Sequence, residues 1–381
     1  MKNNLSSIYN NIAIICFNTF IIFLLINFIL YPIILIKRNI TNDSNVVMNK
    51  YGEHTIASLY PNWKKGELNQ LLKETWSRNF SFEPYTMFKE TNFNGRYVNI
   101  DKNGFRLSKN QSPWPPVVDH YNIFIFGGST TFGYGVEDHQ TIASHLQSFL
   151  RAKVKNEKIC IYNFGRGYYF SEQERILFEL LITSGYCPSM AIFIDGLNDF
   201  YHYDGKPTFY SNLSKSFNNE FELSKCITNV LLSIPVIKFI KWILRINMKT
   251  IVKNDIPERN YNNTKIINNV IKRYLNNKTI IQAVARSNSI KTLFVWQPVP
   301  TYNYSGQKLE LNFSRHTFSK YGYKEMEKYY KNNKLKNFLW CGNLHIKTDK
   351  PLYIDLVHYS GFFSKHIAHT IANYIIKKNV L

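Results

Sequence analysis

The stretch Asn122-Ile-Phe-Ile-Phe-Gly-Gly-Ser-Thr-Thr-Phe-Gly-Tyr-Gly135 decides how the rest of the chain is interpreted. Its four consecutive apolar residues, Ile123 to Phe126, are β-branched and aromatic, which is typical of a strand buried on both faces. Two glycines then allow a tight turn, and Ser129 follows directly. A helix is predicted after Thr141, so Ser129 lies on a strand-to-helix turn at the carboxyl edge of a sheet, where open α/β sheets bind their ligands.

Further βα units follow along the chain. Each begins with a short apolar run that is followed by turn residues, and amphipathic segments separate the runs. Such an arrangement predicts a parallel sheet with helices on both faces. Ser171 to Glu174 has the spacing of a capping box, and residues 263–289 and 361–378 have helical periodicity. The predicted core strands are Ile123–Phe126, Lys158–Asn163, Met190–Asp195, Lys291–Trp296 and Leu352–Ile354.

The N-terminal region differs from the rest of the chain. Ile12 to Ile36 contains no charged residue over 25 positions, and about 20 apolar residues are enough to span a membrane as a helix. No cleavage pattern is visible, so residues 1–38 are predicted to be an uncleaved anchor rather than a removed signal peptide. Lys37 and Arg38 outweigh Lys2, which favours a cytoplasmic domain, but this tendency is weak when a long domain follows. The charges alone leave the sidedness open.

Two parts are predicted after the anchor. Residues 39–116 form a tether and an aromatic-rich preface that packs on the main domain, and Tyr97 to Asp101 alternates there as a strand. Residues 117–381 form the main domain, with a helical insertion at about 201–289. Within the insertion, Cys226 to Ile251 mixes apolar residues with lysines. It is either a lid or membrane-surface helix, or a set of helices packed on the domain with their lysines in water.

The chain is strongly basic, with 47 Lys and Arg against 26 Asp and Glu and a formal charge of +21. This charge either attracts an anionic partner such as a membrane surface or reflects a composition rich in lysine, asparagine and isoleucine. No basic run of five residues and no Arg/aromatic strip is present, so nucleic-acid binding is not expected. The five cysteines are scattered without metal-ligand spacing, so no metal site is predicted, and one isolated disulfide stays open.

Polar residues follow several of the predicted strands at one edge of the sheet. Ser129 follows the first strand, Asn198 the third, and His358 the fifth, with Asp355 three residues before it. Serine is a weak nucleophile at neutral pH and needs a base, for which His358 is the candidate. Asp355 is the candidate for fixing the tautomer of that histidine. The candidate donors to an oxyanion are the N–H of Ser129, a glycine N–H after the second strand, and the amide of Asn198.

At these residues the chain resembles the SGNH (GDSL-type) hydrolases. Four blocks stand in the order of that family and extend from Asn122 to the C-terminus apart from the insertion. Upstream, Val98 to Arg106 is similar to a stretch of membrane-anchored members. The four blocks are Gly127-Gly-Ser-Thr130, Asn163-Phe-Gly-Arg-Gly167, Gly196-Leu-Asn-Asp199 and Asp355-Leu-Val-His-Tyr-Ser360.

The resemblance implies a flavodoxin-like three-layer α/β sandwich, with a parallel five-stranded sheet in the order 2-1-3-4-5 preceded by the transmembrane helix. It also implies ester hydrolysis or acyl transfer without a metal or an organic cofactor. Of the two glycines in the second block, Gly167 is preferred over Gly165 as a donor. The remaining roles that it implies are Ser129 as nucleophile, His358 and Asp355 as the catalytic pair, and Ser129 and Asn198 as oxyanion donors.

Gly128 departs from the aspartate usual after the first glycine, which puts the local support of the turn in doubt. Gln297 and Tyr302, at the end of the fourth predicted strand, are predicted substrate contacts. The expectation is a membrane-anchored serine esterase or acyl hydrolase whose catalytic domain lies outside the cytoplasm and whose substrate is an O-acylated glycan or lipid. The alternatives are a non-catalytic or acyltransferase component of surface-polysaccharide modification on the same scaffold, and a membrane-surface adaptor.

Overall fold

The computed structural model describes residues 2–42, 46–217, 230–243, 260–306 and 313–378. The chain divides into two compact units, Met1–Ser44 with Ser211–Arg259, and Asn45–Tyr210 with Asn260–Leu381. The strands are β1 (Phe80–Glu83), β2 (Met87–Glu90), β3 (Phe93–Asn94), β4 (Asn99–Ile100), β5 (Tyr121–Gly127), β6 (Ile159–Asn163), β7 (Met190–Asp195), β8 (Lys291–Trp296) and β9 (Phe338–Trp340). The helices are α1 (Lys2–Asn42), α2 (Val46–Tyr51), α3 (Glu53–Leu59), α4 (Lys65–Trp76), α5 (Ser129–Phe132), α6 (Ile142–Val154), α7 (Ser171–Thr183), α8 (Leu197–Tyr201), α9 (Tyr210–Phe217), α10 (Pro235–Ile243), α11 (Thr264–Ser287), α12 (Thr317–Asn332) and α13 (Gly361–Lys377).

The second unit is built on a five-stranded sheet in the order β6-β5-β7-β8-β9, with every neighbouring pair parallel. Numbered by their order along the chain, these strands stand 2-1-3-4-5. The predicted fold class is therefore confirmed. In such a sheet the chain order reverses beside the first strand, and ligands bind at the carboxyl ends of the strands there.

Both faces of the sheet are buried because the central residues of the strands β5 to β8 are apolar. On β5, Phe124 and Phe126 belong to one core cluster, while Ile123 and Ile125 belong to another. The first cluster includes apolar residues of α7, α11 and α12, and the second includes those of α6 and α13. Since successive side chains of a strand point to opposite faces, these helices form the outer layers of a three-layer sandwich.

The prediction of Leu352–Ile354 as the fifth core strand is wrong. The fifth strand is β9, whose Phe338 pairs with Phe294 of β8. The stretch around Ile354 instead turns back on itself, with one isolated bridge between Tyr353 and Tyr359. Both stretches are short apolar runs, and periodicity cannot distinguish a strand from a buried loop over three residues.

Two helix predictions have different outcomes. The amphipathic segment 263–289 is confirmed as α11, whose N-terminal N–H groups are capped by the side chain of Asn263. The capping box at Ser171 is wrong in detail, because Ser171 is already the first residue of α7. Its hydroxyl donates to Asp199 Oδ1 at 2.6 Å, so this side chain links α7 to α8 instead of capping its own helix.

The segment before the sheet is ordered and contacts the core strands. The strand predicted over Tyr97–Asp101 is shorter in the structure. Only Asn99–Ile100 forms a strand, β4, which pairs antiparallel with β3. The buried Arg106 donates its backbone N–H to Asn163 O at 2.9 Å, so this segment continues the edge of the sheet beside β6.

The first unit contains α1, in which Ser7–Leu35 has a mean hydropathy of 2.6 and is long enough to cross a membrane. Among the described residues, one helix is long and apolar enough to cross a membrane, and α1 is that helix. Asn27, within that segment, accepts a hydrogen bond from Val236 N of α10 at 3.0 Å and donates to Phe23 O at 2.8 Å. Of the lysine-rich segment Cys226–Ile251, only residues 230–243 are described, and the rest lies outside the described residues.

Candidate active site

The nucleophile candidate lies immediately after β5. Gly128 is the residue before α5, and Ser129 is the first residue of that helix. The N–H of Ser129 therefore has no hydrogen-bond partner within the helix. A Cβ atom at residue 128 would come 2.3 Å from Asn198 Nδ2 and 3.1 Å from Tyr169 O. A side chain at residue 128 would therefore displace the amide of Asn198, so the close approach of Asn198 favours glycine at this position.

The three side chains predicted to form the catalytic group, Ser129 after β5 and Asp355 with His358 in the loop after residue 354, meet at this edge. Ser129 Oγ lies 2.8 Å from His358 Nε2, and His358 Nδ1 lies 2.6 Å from Asp355 Oδ2. The second carboxylate oxygen of Asp355 accepts the backbone N–H groups of Val357 and His358, both at 2.8 Å. The carboxylate thus fixes its own loop with one oxygen and the imidazole with the other.

The electrostatics of Asp355 favour its charged form. Burial by itself would raise the pKa of this carboxyl, but the charge of His358 and three hydrogen bonds outweigh burial and lower the pKa from 3.8 to about 2. A carboxylate facing Nδ1 keeps the hydrogen of a neutral imidazole on Nδ1. His358 Nε2 is then a free base facing Ser129 Oγ.

Aromatic residues hold the histidine ring. Tyr134 stacks on His358 with ring centroids 5.4 Å apart, and Trp76 packs edge-on at 5.7 Å. The loop that carries Tyr134 is held by Arg106, whose guanidinium pairs with Asp138 at 3.0 Å and donates to three backbone carbonyls between residues 132 and 136. The Arg of the upstream motif therefore acts on the site through the loop after Ser129.

The candidate oxyanion donors differ in their availability. Asn198 Nδ2 donates one hydrogen to Tyr169 O at 2.7 Å, which leaves its second hydrogen for a ligand. Gly167 N lines the cavity but already donates to Glu90 Oε1 at 3.0 Å. Gly165 N donates to Asn163 Oδ1 at 3.0 Å. In this arrangement the glycine donors are occupied by side-chain oxygens.

Glu90 is the unexpected neighbour of the site. It is buried, pairs with Arg78 at 2.9 Å and accepts the hydroxyl of Tyr134 at 3.1 Å. Glu90 therefore connects Tyr134, which stacks on His358, to Gly167 in the stretch Asn163–Gly167. Sequence reasoning missed it because a carboxylate in a short β-hairpin carries no local signal of its long-range partners.

The two predicted substrate contacts are not among the residues that line the cavity at Ser129. Gln297 is buried and accepts the hydroxyls of Thr130 at 2.7 Å and Tyr359 at 3.0 Å, so it ties α5 to the loop of His358. Tyr302 donates to Glu327 Oε2 at 2.8 Å. Both side chains are used in interactions within the protein.

A cavity of about 400 Å³ opens over Ser129. Besides Ser129, Asn198, Gly167, Asp355 and His358, its lining includes several aromatic side chains that sequence reasoning did not select. No local pattern marked them, because they come from separate segments of the chain. They are Tyr51, Trp76, Tyr134, Tyr168, Tyr201, Phe313 and His316. Among the described residues, no cluster of three or more His, Cys, Asp or Glu has the arrangement of a metal site.

Comparisons with known proteins give likenesses of structure only. No family model matches the chain, and no curated protein matches its sequence. Solved structures to which it is similar include a protein described as lipolytic, of the G-D-S-L family, from Desulfitobacterium hafniense, at 13% identity over 67% of this chain and 99% of that one, with a TM-score of 0.36. A lipase/acylhydrolase from Enterococcus faecalis is 15% identical over 68% of this chain and 96% of that one, with a TM-score of 0.36. The esterase EstA from Pseudoalteromonas sp. is 11% identical over 68% of this chain and 100% of that one, with a TM-score of 0.35. Because identity and TM-score are low, the case for an activity rests on the geometry of the site.

Proposed function

We propose that this protein is a membrane-anchored serine esterase or acyl hydrolase of the SGNH type. The observation that carries the proposal is the continuous contact from Ser129 Oγ through His358 to Asp355, with distances of 2.8 and 2.6 Å. Residues separated by 229 positions meet there with each atom in the order that nucleophilic catalysis needs.

In the proposed reaction His358 Nε2 takes the proton of Ser129 as the serine oxygen attacks the ester carbonyl. The tetrahedral oxyanion is stabilised by the Ser129 N–H and by the free hydrogen of Asn198 Nδ2. His358 then gives its proton to the departing alkoxide, which leaves an acyl-serine and a free alcohol. A water molecule activated by the same nitrogen releases the acid and restores Ser129.

The test compares Ser129→Ala with Ser148→Ala, an exposed serine of α6 whose hydroxyl bonds Ser144 O of its own helix. Hydrolysis of p-nitrophenyl acetate is expected to fall by about 10⁴-fold or more in the first variant and to be unchanged in the second. A fluorophosphonate probe should label the wild-type protein and Ser148→Ala but not Ser129→Ala. Equal turnover or equal labelling in all three proteins would remove the nucleophile assignment.

The substrate belongs to the same proposal: an O-acylated glycan or lipid, with transfer to a hydroxyl acceptor as the variant of hydrolysis. Both reactions pass through the same acyl-serine and differ in whether water or an alcohol attacks it. Adding an alcohol acceptor at increasing concentration separates them. A transferase forms the new ester at the expense of free acid, whereas a hydrolase gives the same amount of acid throughout.

One observation favours the alternative of a non-catalytic protein on the same scaffold. The Gly167 N–H, a predicted oxyanion donor, already donates to the carboxylate of Glu90. A developing oxyanion would compete with a negative charge at that donor. Absence of fluorophosphonate labelling in a folded wild-type protein would support this alternative over the enzyme.

We also propose that residues 1–38 anchor the protein in the membrane. Residues 39–116 connect this anchor to the main domain and pack on that domain. Residues 117–381 form the catalytic domain, which lies outside the cytoplasm. The apolar segment Ser7–Leu35 supports the anchor, and the side-chain amide of Asn27 is hydrogen-bonded within the protein, which lowers the cost of burying this polar residue in lipid. Retention in the membrane after alkaline extraction, with an intact N-terminus by mass spectrometry, is expected. A shortened N-terminus would indicate a signal peptide. Protection from protease in cells whose outer layers are permeabilised while the cytoplasmic membrane stays intact would place the domain inside.

A further inference from the structure

His316 is a second histidine in the active-site cavity, and the proposed mechanism does not use it. It is the last residue of the short 3₁₀ helix Ser314–His316 and lines the same cavity as Ser129 and His358. Its ring lies against that of Tyr201, with centroids 4.7 Å apart and planes 34° apart. The ring of Tyr201 lies in turn 6.4 Å from that of Tyr168. These three residues, Tyr168, Tyr201 and His316, form a continuous aromatic wall along the cavity.

The backbone conformation that positions this wall is strained at Tyr168. Tyr168 has a φ of 63°, a left-handed conformation that a bulky residue rarely adopts. Its carbonyl oxygen lies 3.0 Å from Nε2 of the buried His202. Strained residues of this kind concentrate at functional sites, where the surrounding structure fixes a side chain in a required direction.

The chemistry of His316 follows from its surroundings. Burial lowers the pKa of its imidazole to about 3, and the nearby charges of His358 and Lys50 act in the same direction while Asp355 opposes them. The ring is therefore neutral at pH 7. Its Nδ1 is enclosed without a hydrogen-bond partner among the described residues.

A neutral imidazole carries one hydrogen, and an enclosed N–H without an acceptor is unfavourable. We therefore infer that the hydrogen resides on Nε2, which makes His316 a neutral donor. His316 and His358 both line the cavity over Ser129, whose volume is about 400 Å³. His358 delivers the proton to the departing alkoxide, so the alcohol portion of the ester occupies this cavity, which His316 also lines.

We propose that His316 is a specificity-determining residue that donates a hydrogen bond to the alcohol portion of the substrate, and that this portion is a polyhydroxylated ring bound against Tyr168 and Tyr201. The aromatic wall contacts the apolar face of such a ring, and the neutral donor recognises its hydroxyl or ether oxygens. The inference rests on the proposed function and narrows its substrate from glycan or lipid to a glycan ester.

The test uses two acetates that differ in the hydroxyl groups of the alcohol. Methyl 6-O-acetylglucoside and cyclohexylmethyl acetate are both primary acetates on a six-membered ring, and only the first offers oxygens to a donor. The full-length protein in detergent is compared with His316→Phe, which keeps a ring without a donor, and with His316→Gln, which keeps an N–H donor.

The wild-type protein should prefer the sugar ester, and His316→Phe should lose about fivefold in kcat/KM for it, the equivalent of one neutral hydrogen bond. The loss should appear mainly in KM, with the cyclohexyl ester unchanged and His316→Gln restoring the preference. An equal loss on both esters in a folded His316→Phe, or a wild-type preference for the cyclohexyl ester, would overturn the inference alone. If the wild-type protein hydrolysed neither these esters nor p-nitrophenyl acetate, the proposed function itself would fail.

Discussion

Replacement of Asp355 by asparagine tests the proposed mechanism at the point where the structure specifies it best. Asparagine has nearly the shape of aspartate, and its one carbonyl oxygen can still accept the N–H groups of Val357 and His358, which lie 2.8 Å from Oδ1. The backbone of the loop should therefore be preserved. The other oxygen, 2.6 Å from His358 Nδ1, becomes an NH₂ group.

This change reverses the hydrogen bond to the imidazole. An NH₂ group donates, so Nδ1 must accept, and the hydrogen of the neutral ring moves to Nε2. Nε2 can then no longer take the proton of Ser129. The expected loss in kcat for p-nitrophenyl acetate is about 10⁴-fold, with KM little changed. The matched control is Asp349→Asn, an exposed aspartate a few residues earlier, which should behave as wild type.

The same variant has a second, independent readout in stability against pH. The folded pKa of Asp355 lies below its ordinary value, from 3.8 to about 2, so its contribution to stability is present above about pH 4 and is lost as the pH falls towards 2. A difference of about two pKa units corresponds to about 2–3 kcal/mol in the free energy of unfolding. Denaturation titrations between pH 4 and pH 2 should show a shallower loss in the variant than in wild type. Activity above about one tenth of wild type, in a folded variant, would refute the assignment of Asp355.

Other substitutions follow from the same contacts. Arg106→Met leaves three backbone carbonyls and Asp138 without their buried partner. The free energy of unfolding, measured by urea titration, should therefore fall by about 3–5 kcal/mol. An unchanged urea midpoint would contradict the role given to the guanidinium. Gly128→Ala places a Cβ 2.3 Å from Asn198 Nδ2, so kcat should fall by about 10²-fold through loss of that donor. Gly66→Ala, which has no atom within 4 Å of its new Cβ, is the control, and equal kcat in both variants would exclude Asn198 as a donor.

A parallel sheet with helices on both faces was predictable from the residue pattern, because the core strands are short apolar runs buried on both faces. Runs such as Ile123–Phe126 and Met190–Asp195 are apolar at every position or nearly so, which is typical of strands in a parallel sheet covered by helices on both faces. The turn after β5 was equally readable, because paired glycines there indicate a tight turn at which neighbouring groups approach the backbone closely. The order of the polar residues at the strand ends then indicated which side chains could meet.

The folded structure was needed to identify the short apolar segment that completes the sheet and the groups that surround the nucleophile. Phe338–Trp340 becomes the edge strand through pairing with β8, while Leu352–Ile354 becomes the loop that delivers His358. Glu90 at the Gly167 N–H and His316 in the cavity wall likewise come from segments with no local pattern. Their positions depend on contacts between residues far apart along the chain. Such contacts are formed by the packing of whole elements, and neither periodicity nor spacing within one segment encodes them.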